Sequence, residues 1–334
     1  MMKQMSNQFF LYSLTSLAVT ASSLAYAQED AQAPSLEGGI TASIGTFYAA
    51  PVAGDQDYVT IFEHHDNGAV DEQKHAVNAD YDFGFEAALA YVFDETANSV
   101  ELSYRTLDAD GDGSEEDSIS EVFSSVTNEF YDSASSSIAY DFNAVDLMFN
   151  QFLDIGTHVQ VRFGAGVSYA DIEKNQTSTF FDKVSSSPSA NDQVQNHSEF
   201  SGVGPRVGID GRYDFGENLA GFGIVAGGSL AYYVGDLDVN ETIISNLDLP
   251  NEIINNYSEE LDNHGVTNLR ANIGIDYVYF FEDEASTLGV ELGYLIDDYE
   301  DAVGTFFFTS DVVYSTELSS FSYSGPYVNL KGVF

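Results

Sequence analysis

Apolar and polar positions alternate with period two along most of this chain. Tyr81, Phe83, Phe85, Ala87, Leu89, Tyr91 and Phe93 are interleaved with Asp82, Gly84, Glu86 and Ala88. Val159, Val161, Phe163, Ala165, Val167 and Tyr169 are interleaved with Gln160, Arg162, Gly164, Gly166 and Ser168. The same rhythm returns from Val203 to Phe215, Phe222 to Val234, Leu269 to Phe281 and Leu288 to Ile296. Successive side chains of a strand point to opposite faces, so period two predicts strands with one apolar face. The strands run long, often beyond ten residues, where soluble strands average about five or six. Length and alternation together suit a tilted crossing of a bilayer. A soluble β-sandwich is the alternative, but it does not need so many aromatics on one face near strand ends.

Ten strands are predicted, near 36–50, 80–93, 98–107, 138–151, 157–171, 200–215, 218–235, 265–281, 286–299 and 319–334. Short links at Asp94–Ala97, Phe152–Gly156, Gly216–Glu217 and Glu282–Ala285 alternate with long ones at 51–79, 108–137, 172–199, 236–264 and 300–318. Short periplasmic turns and long external loops mark an outer-membrane barrel. The fold class expected is therefore all-β: a transmembrane antiparallel β-barrel of about ten strands, with both termini in the periplasm.

The start of the chain agrees with export. Lys3, an apolar run from Phe9 to Leu24 and the small-x-small triplet Ala25-Tyr26-Ala27 read as a secretory signal peptide cut after Ala27. Residues 1–27 are then the signal and 28–334 the barrel domain. No later apolar run is long enough for a transmembrane helix. The chain contains no Cys, so no disulfide framework forms.

The stretch "SGVGPRVGIDGRYDFGENLAGFGIVAGGSLAYYVG", residues 201–235, resembles the Gly-Pro-Arg hairpin of the Legionella-type major outer-membrane, pore-forming family. "YDFNAVDLMFNQ", 140–151, is similar to the hairpin that precedes it in that family. The resemblance implies a pore-forming barrel and no particular substrate. The absence of Cys separates this chain from the disulfide-linked type member. Phe334, a terminal aromatic on the last strand, resembles the signal read by the barrel-assembly machinery.

All five arginines, Arg105, Arg162, Arg206, Arg212 and Arg270, fall on polar faces of predicted strands, as does Lys331. Glu86, Asp210, Asp276 and Glu291 share those faces, with Asp82, Glu101, Asp141, Asp146 and Asp214 as further inward acids. A charge facing hydrocarbon costs about 2–4 kcal/mol near the midplane, so these side chains are expected in the lumen. They form either a water-lined constriction or a salt-bridged plug. Eight strands leave room only for side chains and sixteen leave a wide channel, and ten lies near the filled end. Small inward residues such as Gly164, Gly166, Gly208 and Gly289 reopen some space. An excess of inward acids would favour cations.

Charge adds to this picture outside the lumen. The chain has 54 acidic and 10 basic residues, which excludes a nucleic-acid partner. Residues 51–80, 108–136, 171–199, 236–263 and 300–318 hold 33 acids against Lys74, Lys174 and Lys183. Lipid and lipopolysaccharide are the expected neighbours, with divalent ions bridging carboxylates to lipopolysaccharide phosphates. The six histidines include His64, His65 and His75 in one link, but neither metal spacing nor a Ser-centred nucleophile motif accompanies them. The protein is expected not to be an enzyme.

"DADGDGSEED", 108–117, begins like an EF-hand loop. No helix enters it, and its twelfth position is Ile119 rather than Glu, so it is not an EF-hand. Ser114 and Asp117 suit a variant capping box, and Ile119, Val122, Phe123, Val126 and Phe130 have helical spacing. A short amphipathic helix over the barrel mouth is expected here. Asp108, Asp110 and Asp112, with Glu116, are candidate ligands for a weak calcium ion, the one cofactor considered. The function expected is passage of small solutes or ions, with a cation preference; a closed structural or adhesive barrel is the alternative.

Overall fold

The computed structural model describes residues 31–34, 36, 38–54, 56–64, 70–116, 121–124, 126–127, 129–182, 184, 191–247, 249–281, 286–308 and 314–334. The expected signal peptide lies outside these residues, as do His65, Asp117 and Ile119. Fifteen strands form among the described residues. They are β1 (Ala31–Gln32), β2 (Gly39–Ala53), β3 (Asp57–His64), β4 (Val70–Ala76) and β5 (Asp82–Val92). Next come β6 (Asn98–Glu116), β7 (Glu121–Ser124), β8 (Glu129–Tyr131), β9 (Ser133–Ile155) and β10 (Val159–Phe181). The last are β11 (Asn191–Asp214), β12 (Phe222–Leu247), β13 (Ile253–Phe280), β14 (Thr287–Phe308) and β15 (Tyr314–Val333).

The chain thus holds more strands than the ten expected. The strands β2, β5, β6, β9, β10, β11, β12, β13, β14 and β15 pair antiparallel in that order, and β15 pairs back with β2. Closure satisfies every edge, as a bilayer demands. β1 adds to the lower end of β9 through Ala31 and Ile155. The surplus lies in segments read as loops: β3, β4, β7 and β8 form a separate four-stranded sheet. Among the described residues the expected helix is absent, since Glu121–Ser124 and Glu129–Tyr131 are strands and Ser114 lies inside β6. β-branched and aromatic residues such as Val122 and Phe123 suit a pleated surface, and the edge of β3 accepts them through Ile61↔Val122 and Thr60↔Phe123. Tyr58, Val59 and Tyr131 of this small sheet share the buried cluster of the ring. Gln56 Nε2 also donates to Tyr140 Oη at 2.8 Å.

The long strands change character midway. In their lower parts Leu147, Phe149, Val167, Val207 and Ile273 point outward and are exposed, as lipid-facing positions are. Aromatic side chains flank this band. Tyr48 and Phe83 pack at 4.9 Å near its top, and Tyr279 and Phe281 at 5.3 Å near its bottom. In the upper parts the apolar residues lie on the opposite face. Tyr140 and Phe142 of β9, Ile172 of β10, Phe200 of β11 and Leu237 and Val239 of β12 point inward and are buried.

Outward positions in the upper parts are polar. Asp108, Asp141, Glu173, Glu199, Asp238 and Glu260 stand in direct cross-strand register on six neighbouring strands. Asp141, expected to face the lumen, therefore faces out. Burial and the facing charge of Asp108 push its carboxyl above the ordinary value. Inside the same wall, Glu241 is 2% exposed. Burial raises its carboxyl to about 8, although the Phe306 N–H, Asn196 and the charge of Lys174 pull the other way.

Two expected outcomes follow from this arrangement. Val207→Arg, midway along the lipid-facing part of β11, destabilises by about 2–4 kcal/mol in urea unfolding from bilayers. Glu199→Arg, on the same face above the aromatics, breaks a like-charge row and does not destabilise. The second outcome concerns pH. Folded Glu241 keeps its proton up to about 8, whereas the unfolded side chain loses it near 4.5. Between these values the folded state binds more protons, so this group's contribution to stability falls as pH rises through the window. Glu241→Gln flattens that slope in unfolding midpoints measured from pH 5 to 9.

Candidate functional site: a charged vestibule beneath an aromatic layer

Of the side chains expected in the lumen, the five arginines, Lys331, Glu86, Glu101, Asp146, Asp210, Asp276 and Glu291 border one cavity of about 700 Å³ inside the lower half of the ring, while Asp82, Asp141 and Asp214 do not. The cavity exists because many inward positions there are small: Ser43, Ala88, Gly164, Gly208 and Gly289 line it. It reaches the short-turn end at Leu36, Phe280 and Val333. Its lining carries six bases (Arg105, Arg162, Arg206, Arg212, Arg270, Lys331) and six acids (Glu86, Glu101, Asp146, Asp210, Asp276, Glu291). The acidic excess expected of the lumen is therefore not found in the vestibule; the chain's surplus of acid lies elsewhere.

The charges are arranged as local pairs. Arg162 donates from Nη1 to Glu101 Oε2 at 2.6 Å and from Nε to Asp210 Oδ2 at 3.0 Å. Arg212 donates from Nε to Asp276 at 2.6 Å and from Nη1 to Asp214 at 2.8 Å. Arg270 Nη2 donates to Glu86 Oε2. Glu291 accepts from Tyr327 Oη.

The vestibule ends upward at Arg105, which is 1% exposed. Its guanidinium spans the lumen from β6 to β14, donating to Asp297 Oδ2, and reaches Asp146 Oδ2 on β9 at 3.1 Å. Arg206 approaches the other oxygen of Asp146 at 3.2 Å and donates to Asn268 Oδ1 at 2.8 Å and Tyr233 Oη at 2.9 Å. Asn268 Nδ2 donates to Asp297 Oδ1 at 2.6 Å, and Tyr323 Oη donates to Asp297 Oδ2 at 2.9 Å. Ser168 Oγ donates to Asp146. A buried charge is tolerable only when paired and hydrogen-bonded, and both carboxylates here are held from several sides.

Asp297, Asn268, Tyr233 and Tyr323 were not singled out in the sequence. Asp297 lies in the acidic run "DDYED", where alternation gives way to consecutive polar residues, and nothing local distinguishes it from Asp298.

Directly above this layer the lumen is filled with aromatic side chains. Phe142 packs on Tyr299, Tyr323 and Phe321 with centroids 5.3–5.7 Å apart, joining β9 to β14 and β15 across the ring. Tyr140 packs on Phe321, and Phe47 stacks on Tyr323. Gly84 makes room for the last pair, since a Cβ there would meet the Phe47 ring at 2.1 Å.

The candidate calcium ligands have a different setting. Asp108, Asp110 and Asp112 belong to β6 rather than to a loop, on its outward face. Alternate residues of a strand lie roughly 6.6–6.8 Å apart, so these three do not wrap one ion. The side chain of Glu116 lies outside the described residues. Among the described residues no group of three or more His, Asp or Glu stands close enough to hold a metal ion. His75 Nδ1 meets Glu115 Oε1 at 2.7 Å, tying β4 to β6. His264 Nε2 meets the Asp301 carbonyl at 2.8 Å.

Known proteins bear on this architecture as follows. The outer-membrane protease OmpT from Escherichia coli is 12% identical, with 90% of this chain and 99% of that one covered, at a TM-score of 0.45. A Pseudomonas aeruginosa FadL homologue is 7% identical, covering 89% and 90%, at 0.26. The Pseudomonas putida toluene transporter TodX is 8% identical, covering 88% and 89%, at 0.23. No curated protein matches the chain. The family described as Legionella pneumophila major outer membrane protein precursor matches residues 32–334. This chain therefore belongs to the Legionella major outer membrane protein family and resides in the bacterial outer membrane.

Proposed function

We propose that this protein is a closed outer-membrane β-barrel that anchors an acidic, strand-built wall and a four-stranded cap at the cell surface. One observation carries the reading. The side chains that would line a channel through the upper half, among them Phe142, Ile172, Phe200, Tyr233, Val266, Tyr299 and Phe321, are each 0% exposed. Side chains bordering a water-filled channel would show accessible surface. Opening such a passage means unpacking an aromatic core, and each buried Phe truncated costs about 3–5 kcal/mol. The reading assigns no catalytic role.

A second reading, a small-solute or ion pore, is favoured by the charged vestibule. A lumen built only as a closed plug does not need a cavity of about 700 Å³ lined by twelve charges. In that reading the Arg105 layer is the gate. Its even balance of acids and bases argues for weak ion selectivity rather than a strong cation preference.

Planar bilayers separate the two. Wild-type protein is expected to give no sustained conductance steps, while folding fully by heat-modifiable migration. Sustained steps from wild-type protein would overturn the closed reading. Arg105→Ala leaves Asp146 and Asp297 short of a buried cation and is expected to cost about 3–5 kcal/mol of stability. It should do so without creating conductance, because the aromatic layer above remains. Steps that appear only in Arg105→Ala would instead make the charged layer the gate.

A further inference from the structure

We infer that the vestibule contains a binding site for a small zwitterion, of amino-acid or dipeptide size, between Lys331 of β15 and Glu291 of β14. Every arginine of the lining has a carboxylate partner, but Lys331 forms no ion pair among the described residues. The register explains why. Lys331 stands between Gly289 on one neighbouring strand and Ser43 on the other, and neither carries charge.

Glu291 is the complementary case. It stands directly opposite Asp276, a like charge, and opposite Asn329 on its other side. Arg212, the cation that meets Asp276, is divided between Asp276 and Asp214. Glu291 makes no ion pair among the described residues and accepts from Tyr327 Oη. Like charges directly opposite one another are unfavourable, so an ammonium bound here relieves a repulsion that the fold leaves in place.

Asn329 lies between the two charges, opposite Glu291 and two residues before Lys331. Its Oδ1 is buried and has no hydrogen-bond partner. A ligand ammonium would donate to Glu291 and to Asn329 Oδ1, while the ligand carboxylate would accept from the Lys331 ammonium. The cavity of about 700 Å³ lies within the usual range of ligand pockets, about 300–1,000 Å³. A zwitterion also enters a lining of six acids and six bases without adding net charge. The site is reached from the short-turn end, whether or not the lumen above it conducts.

The test is a calorimetric titration of glycylglycine into the refolded full barrel in detergent micelles, up to about 50 mM, the range of a weak site. Acetate and ethylammonium serve as one-charge probes. The expected result is saturable binding of glycylglycine, weakened about tenfold or more in Lys331→Met and in Glu291→Gln, and about tenfold weaker for either one-charge probe. Glu291→Gln keeps the test decisive if Lys331→Met does not refold. No saturation by wild-type protein overturns the inference. So does unchanged affinity in a variant that still folds, or equal binding of acetate alone. None of these outcomes depends on the conductance result.

Discussion

One set of strands passes through two surroundings, and the rest of the structure follows from that constraint. In the bilayer no water is present to satisfy backbone N–H and C=O groups, so the sheet closes on itself through β15 and β2. There the outward face must be apolar, and charge has only the lumen to occupy. Above the bilayer the outward face meets water and apolar side chains pack inside the ring. The apolar residues therefore exchange faces partway up the longer strands, as in β9: Leu147 and Phe149 point out, while Tyr140 and Phe142 point in. In β12 the change from Val234, outward, to Leu237, inward, falls at a register shift between Gly235 and Leu237.

The Arg105 layer sits where the two regimes meet. Below it are water-accessible charges and small residues; above it is a packed aromatic core. Arg105, Asp146 and Asp297 are groups that neither region could accommodate unpaired. They are joined by Tyr233 and Tyr323, whose rings belong to the core and whose hydroxyls reach the charges. Buried ion pairs contribute little net stability compared with apolar replacements. What this cluster does is hold β6, β9, β11 and β14 at fixed distances across the lumen, and that separates the vestibule from the core. The outer carboxylate row has the opposite logic. It lies in water, where repulsion among like charges is screened, and His197 stands beside two of its members, Glu173 and Glu199.

Much of this was legible in order along the chain. Long alternating runs gave the membrane-spanning parts of the ring, because lipid imposes one strict rule on every second residue. The same rule assigned the five arginines to the interior. The upper walls were read as loops because the rule changes there. Along 172–178 the inward side chains are Ile172, Lys174, Gln176 and Ser178 and the outward ones are Glu173, Asn175 and Thr177, so the polarity contrast fades while the strand continues. Ile119, Val122, Phe123, Val126 and Phe130 have helical spacing, but Glu121–Ser124 is a strand on the edge of β3. "DADGDG" looked like an ion-binding loop, and only its pairing with β9 shows it to be extended.

The sequence by itself determined that this chain is all-β, that its strands cross an outer membrane and that its arginines face inward. Each of these rests on a residue-by-residue cost set by the surroundings, which needs no knowledge of partners. The tertiary structure alone decided which charges meet, since Arg105 and Asp297 lie 192 positions apart. It alone decided that aromatic side chains pack across the upper ring, because that packing depends on rings from β9, β14 and β15 meeting there. And it alone left Lys331 and Glu291 without an ion pair among the described residues, because cross-strand register, not composition, chooses each side chain's neighbours.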